Sequence, residues 1–153
     1  LVGSEMCIET APILNDEGIA EYYVPEGKWT DIITGKVLEG GKWYKHKCSY
    51  FEIPALAKPN SIIAYGNFER QIEYDYLEGT TFTIYELEDG KSAVCPIYDT
   101  EANKVFELTA TRHGNKIECE YTDTKASFKI AVANTDKTVE IAPNFSGKVI
   151  IEL

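Results

Sequence analysis

The sequence is short of the residue types that most often carry chemistry. In 153 residues there are two histidines, four cysteines, two tryptophans and one methionine. Neither His46 nor His113 has a cysteine or histidine partner at ligand spacing, so no metal is expected. His46 sits among three lysines in "KWYKHKC", and His113 lies in a His-Gly-Asn turn; both read as solvated side chains. Cys7, Cys48, Cys95 and Cys119 stand far apart without a C-x-x-C pair. There is no G-x-S-x-G elbow, and "EGGKWY" lacks the spacing and following helix of a phosphate loop. Ser4, Ser49, Ser61, Ser92, Ser127 and Ser146 have no context that marks an activated nucleophile. No catalytic residue and no cofactor site is expected.

Basic residues are scarce as well. Lys and Arg total 15 against 25 Asp and Glu, and the net charge of -10 repels a phosphate backbone or an anionic membrane surface. No run approaches the ~20 apolar residues of a membrane helix. The opening "LVGSEMCIET" lacks the charged-then-apolar order of a signal peptide. Neither nucleic acid nor membrane is an expected partner, and the expected compartment is the cytoplasm. A start on Leu1 without a leader further suggests a piece of a longer polypeptide.

What is present is a core-forming composition, 44% hydrophobic, arranged with a period of two. In "NKIECEYT", Ile117, Cys119 and Tyr121 alternate with Lys116, Glu118 and Glu120, as in a strand with one dry and one wet face. Phe128, Ile130 and Val132, then Val139 and Ile141, then Val149, Ile151 and Leu153 repeat the pattern. Turn signals recur at Glu26-Gly27, Thr34-Gly35, Gly40-Gly41, Glu78-Gly79, Asp89-Gly90, His113-Gly114-Asn115 and Ser146-Gly147. No segment holds a 3.6-residue period over three turns. The fold class is therefore all-β, with antiparallel sandwich strands. Cys119 falls on an apolar face, and reduced, buried thiols are favoured over disulfides, one disulfide pair being left open.

Charge and tryptophan content shift near residue 67. Residues 1–67 hold 9 acids, 6 bases and both tryptophans; residues 68–153 hold the other 16 acids and 9 bases. Two tandem β-sandwich domains, 1–67 and 68–153, are expected, with "GNFERQIEYDYLEG" as the crossing; the alternative is a long edge connection within one larger sandwich. The acids Glu69, Glu73, Asp75, Glu78, Glu86, Glu88 and Asp89 lack calcium-loop spacing, and a solvated acidic face is the better reading. Trp29 and Trp43 share the triplet Gly-Lys-Trp. They are either a sugar-stacking platform or parts of a sandwich, and spacing alone does not separate the two.

"NDEGIAEYYVPEGKWTDIITGKVLEGGKWYKHKCSYFEIPALAKPNSIIAYG", residues 15–66, resembles the β-sandwich that follows the catalytic barrel in glycoside hydrolase family 31. "LEGTTFTIYELEDGKSAVC" and "TATRHGNKI" resemble the distal C-terminal domain of that family's bacterial α-xylosidase branch. The resemblance implies that 1–67 is the proximal and 68–153 the distal C-terminal sandwich of an α-xylosidase or α-glucosidase. It implies a retaining mechanism whose two carboxylates sit ~5 Å apart, both on the barrel. No Asp here stands in the nucleophile segment of the K-T-D-F-G-E type; Asp31 and Asp89 belong to turns. "SEMCIETAPIL" departs from the family by being longer than its opening strand. The implied partner is the barrel of the same chain. Self-association is a further expectation, through an apolar patch around Met6 and Ile8. Trp29 and Trp43 are then expected to follow hairpin turns and pack inside the sandwich. The alternative is a stand-alone carbohydrate-binding or protein-interaction module, for which coplanar exposed aromatics in a groove would speak.

Overall fold

A computed structural model of the chain describes residues 8–10, 13, 15–67, 75–122, 124–143 and 147–153. Among them every regular element is a β-strand. The chain divides into two compact units, Leu1–Pro59 and Asn60–Leu153.

The first unit contains β1 (Ile8–Thr10), β2 (Ile19–Val24), β3 (Lys28–Asp31), β4 (Val37–Glu39), β5 (Lys42–Lys47) and β6 (Ala55–Ala57). They form an antiparallel sheet in the order β1-β6-β3-β4 and a two-stranded ribbon, β2-β5. Val24 pairs with Lys42 and Lys28 with Glu39, so the ribbon continues into the β3-β4 hairpin through a corner. At the corner residues 25–27 on one side face residues 40–41 on the other. That extra residue is a bulge, which bends the ribbon and shifts the alternation of one strand only. Gly40 N–H donates to the Gly27 carbonyl and Gly41 N–H to that of Val24, both at 2.8 Å. A Cβ at Gly40 would lie 1.6 Å from the Pro25 oxygen, so only glycine fits there. Val24, Trp29, Leu38 and Leu56 form one small core, flanked by Tyr22 and Tyr44; Ala20 and Cys48 form another.

The second unit contains β7 (Ser61–Tyr65), β8 (Thr81–Tyr85), β9 (Ser92–Tyr98), β10 (Lys104–His113), β11 (Lys116–Tyr121), β12 (Phe128–Val132), β13 (Thr138–Ile141) and β14 (Lys148–Glu152). Its two sheets run β13-β12-β8-β7 and β14-β11-β10-β9. The alternating residues Ile117/Cys119/Tyr121 and Phe128/Ile130 point into one continuous core shared by both sheets. At its centre Phe128 meets Phe82, Phe106 and Tyr121 with ring centroids 5.2–5.6 Å apart, all near edge-to-face. This is a favoured aromatic geometry. One pairing departs from the all-antiparallel expectation: β8 and β12 run parallel, Phe82 opposite Ile130.

The division between units also falls earlier than the charge shift suggests. β7 lies inside the expected first domain, 1–67, yet it pairs with β8 from Ser61↔Tyr85 to Tyr65↔Thr81. Asn60 adds to this by donating to the Glu86 carbonyl and accepting from Glu88 N–H at 2.8 Å. Residues 60–67 therefore belong with the second unit, because backbone pairing and not surface charge decides membership.

Candidate functional site

The exposed aromatic face of the β2-β5 ribbon stands out. Its three cross-strand pairs in sequence are Ile19↔Lys47, Glu21↔Lys45 and Tyr23↔Trp43, all on the face opposite Ala20, Tyr22 and Val24. Trp43 is 68% exposed and Tyr23 49%. Their ring centroids are 5.8 Å apart with planes inclined at 63°, an edge-to-face contact. The Lys45 ammonium lies 3.9 Å from the Glu21 carboxylate beside them. On the inner face Tyr22 and Tyr44 stack at 6.2 Å, and the Tyr44 hydroxyl donates to the Glu39 carbonyl at 2.8 Å. Burial pushes the Tyr22 phenol above its ordinary range, with the Asp31 carboxylate adding to the effect.

The two Gly-Lys-Trp triplets thus have opposite fates. Trp29 is 5% exposed, faces Leu38 across the hairpin, and donates its indole N–H to the Pro25 carbonyl at 3.0 Å. Both tryptophans follow the corner instead of a hairpin turn, and the bulge at 25–27 turns Trp29 inward while Trp43 stays outward. The expectation that Trp43 packs inside the sandwich is corrected accordingly. Its strand offered the signal: "KWYKHK" has no apolar face, and most of β5 is exposed on both sides. A second aromatic pair, Tyr50 and Phe51, is held edge-to-face at 5.2 Å on a turn closed by the Glu52 carboxylate on Ser49 N–H. Neither sequence spacing nor composition marks it.

The acids singled out by sequence serve the turns of the second unit. The Asp75 carboxylate accepts from Leu77 N–H at 2.9 Å, and that of Asp89 from Gly114 N–H at 2.6 Å. Glu78 accepts from both the hydroxyl and the N–H of Ser127, which holds its carboxyl below the usual range. Glu88 accepts from the Asn60 amide at 3.3 Å. Glu69 and Glu73 lie outside the described residues. Among the described residues no three metal-ligating side chains gather. His46 and His113 are exposed on β5 and at the end of β10. Cys48 and Cys119 are buried free thiols, Cys95 is half-buried, and Cys7 lies outside the described residues.

A groove of about 540 Å³ in the second unit is lined by Asp75, Tyr76, Leu77, Ile97, Asp99 and Val105. The backbone N–H and the side-chain amide of Asn103 both donate to Asp99, and hold its carboxyl below the usual range. Glu52 and Glu140 are shifted the same way, by the Ser49 backbone and by the Lys129 ammonium. These carboxyls are fixed as anions. A glycosidase's acid needs the reverse shift, a carboxyl kept protonated by an apolar pocket or a neighbouring charge.

The comparisons with known proteins assign this architecture. The family model described as "Alpha-xylosidase YicI, C-terminal domain" matches residues 75–153, and "Glycosyl hydrolase family 31 C-terminal domain" matches residues 1–63. The chain belongs to glycoside hydrolase family 31. It corresponds to the C-terminal region of that family, close to its α-xylosidases. Alpha-xylosidase XylQ of Lactiplantibacillus pentosus is 27% identical over 145 residues, 93% of this chain and 19% of the relative. Alpha-glucosidase 2 of Bacillus thermoamyloliquefaciens is 35% identical over 102 residues, 66% of this chain and 12% of the relative. The fold recurs in the Flavobacterium johnsoniae family 31 dextranase FjDex31A, with a TM-score of 0.78 at 15% identity over 95% of this chain and 26% of that one. The chain thus spans less than a fifth of the length of the two curated relatives and about a quarter of the dextranase.

Proposed function

We propose that this chain is the accessory C-terminal region of a cytoplasmic retaining α-xylosidase, in which its two β units brace a catalytic (β/α) barrel of the same polypeptide. The match of residues 75–153 to the α-xylosidase C-terminal domain carries the reading, because that model is narrower than the family as a whole. Relatives named for three different substrates share the region. A region common to α-xylosidase, α-glucosidase and dextranase does not select the sugar; the barrel does. The described carboxyls with displaced acidity are all displaced downward, which suits turn-fastening and not general-acid work. Free thiols at Cys48 and Cys119 fit a reducing compartment.

The test is hydrolysis of a chromogenic α-xyloside by two preparations. The 153-residue chain alone is expected to be inert, and the natural polypeptide containing it to turn over the α-xyloside faster than the α-glucoside. Turnover by the chain alone, abolished by changing a single Asp, would overturn the accessory role. Preference of the natural polypeptide for the α-glucoside would overturn the substrate assignment.

A further inference from the structure

The outer face of the β2-β5 ribbon has the make-up of a small sugar-binding surface, and we infer that Trp43, Tyr23, Glu21 and Lys45 bind one pyranose ring of a neutral gluco- or xylo-configured oligosaccharide. The observations are independent of the turn chemistry described above. Trp43 is the one indole turned outward, because the bulge shifts the alternation of the partner strand and leaves that of β5 intact. The edge-to-face contact with Tyr23 holds the indole in place while most of it stays exposed. Holding a platform ring before the ligand arrives lowers the ordering cost of binding.

Polar groups stand next to that platform in register. Glu21 and Lys45 form the neighbouring cross-strand pair, two residues along each strand and so about 7 Å from Tyr23 and Trp43. That is the reach of a pyranose ring with its hydroxyls. Such rings with equatorial hydroxyls present axial C–H bonds on their faces and hydroxyl groups around their edge. The C–H face lies on the indole, while the edge hydroxyls donate to the Glu21 carboxylate and accept from the Lys45 ammonium. The Glu21–Lys45 contact is long, at 3.9 Å, with both side chains well exposed, and holds the two groups too weakly to keep them from a ligand. A protein partner docking on an aromatic patch would instead be met by a wider apolar surface. Here the apolar stripe ends after one residue pair and gives way to charge. The choice of sugar class rests on the family 31 reading; the site itself does not.

The experiment is titration of the 153-residue chain with cellotetraose and with xylotetraose, followed by tryptophan fluorescence and backbone amide NMR shifts. Expected are a saturable fluorescence change and shifts clustered on residues 19–24 and 42–47. Trp43→Ala is expected to weaken binding roughly tenfold, with Trp43→Tyr recovering part of the loss. Glu21→Ala is expected to weaken it several-fold, and Trp29→Phe to leave it unchanged. Circular dichroism on each variant separates lost binding from lost fold. Four results would overturn the site: no saturable change; binding indifferent to Trp43→Ala; binding confined to anionic sugars and removed by salt; or Trp43 shielded from an aqueous quencher in the natural longer polypeptide without sugar. None of these bears on whether that polypeptide hydrolyses an α-xyloside, so the two readings fail separately.

Discussion

The two units solve the problem of stability differently. The second closes two sheets over one uninterrupted core, with three phenylalanines in mutual contact and Tyr121 against Phe128. The first has two small cores and relies on a hydrogen-bonded corner, where Gly40 and Gly41 tie one crossing of the ribbon to the other. It also leaves Tyr23, Trp43, Tyr50 and Phe51 exposed, the last two at 95% and 86%. Among its described aromatic residues the second unit exposes two, Tyr65 and Tyr98. The first unit therefore carries the larger exposed aromatic surface, and the second the larger core.

The largest test of this contrast is Phe128→Ala. It removes the ring that touches three others and should cost the second unit about 3–5 kcal/mol, seen as a lowered urea midpoint by circular dichroism. Because both tryptophans lie in the first unit, their fluorescence midpoint should move far less; equal shifts would show that the units unfold as one. Next comes Gly40→Ala, where overlap with the Pro25 oxygen should cost the first unit about 1–3 kcal/mol through a broken corner. A fluorescence midpoint unchanged by that substitution would deny the corner its role.

The third test uses pH. Burial pushes the Cys119 thiol up to about 12 from an ordinary 9.0, so the folded second unit holds it neutral. That contribution is complete below about pH 9 and is lost as pH rises toward 12. Alkaline unfolding of the second unit should therefore begin above pH 9 and be blunted in Cys119→Ala, and a thiol reagent should reach Cys119 only after denaturation. The smallest effect is expected from Trp43→Ala, within about 0.5 kcal/mol, as for other surface substitutions. Trp29→Ala, by contrast, should cost about 3 kcal/mol or more.

Much of this architecture was legible in the sequence, because alternation and glycine are local signals. Ile117, Cys119 and Tyr121 fall on the dry face as their spacing requires, and Gly27, Gly35, Gly41, Gly79, Gly90, Gly114 and Gly147 all take positive φ. What escaped is non-local. Identical triplets around Trp29 and Trp43 gave no sign that a bulge would send them to opposite faces, since a bulge exists only in relation to the partner strand. The parallel β8-β12 pairing joins segments about fifty residues apart in sequence, which no short-range pattern encodes. The charge shift after residue 67 reports surface chemistry, whereas β7 takes its place by pairing with β8. Of the candidate sugar site, Trp43 was visible as a candidate, but its Tyr23 partner required the ribbon's register.

The placement of β7 has a consequence for the order in which the molecule is made. The described strands of the first unit end at Ala57, so their pairing can finish while the rest of the chain is still inside the ribosome. β7 and β8 emerge next and form a hairpin, but their sheet waits for β12, and the opposite sheet waits for β14 at residues 148–152. Until then Phe82 and Ile62 are bare on a nascent hairpin, tethered to a finished neighbour by only Lys58, Pro59 and Asn60. A translational pause before residue 128 would hold the chain in that state, with an open strand edge that invites pairing between chains on adjacent ribosomes.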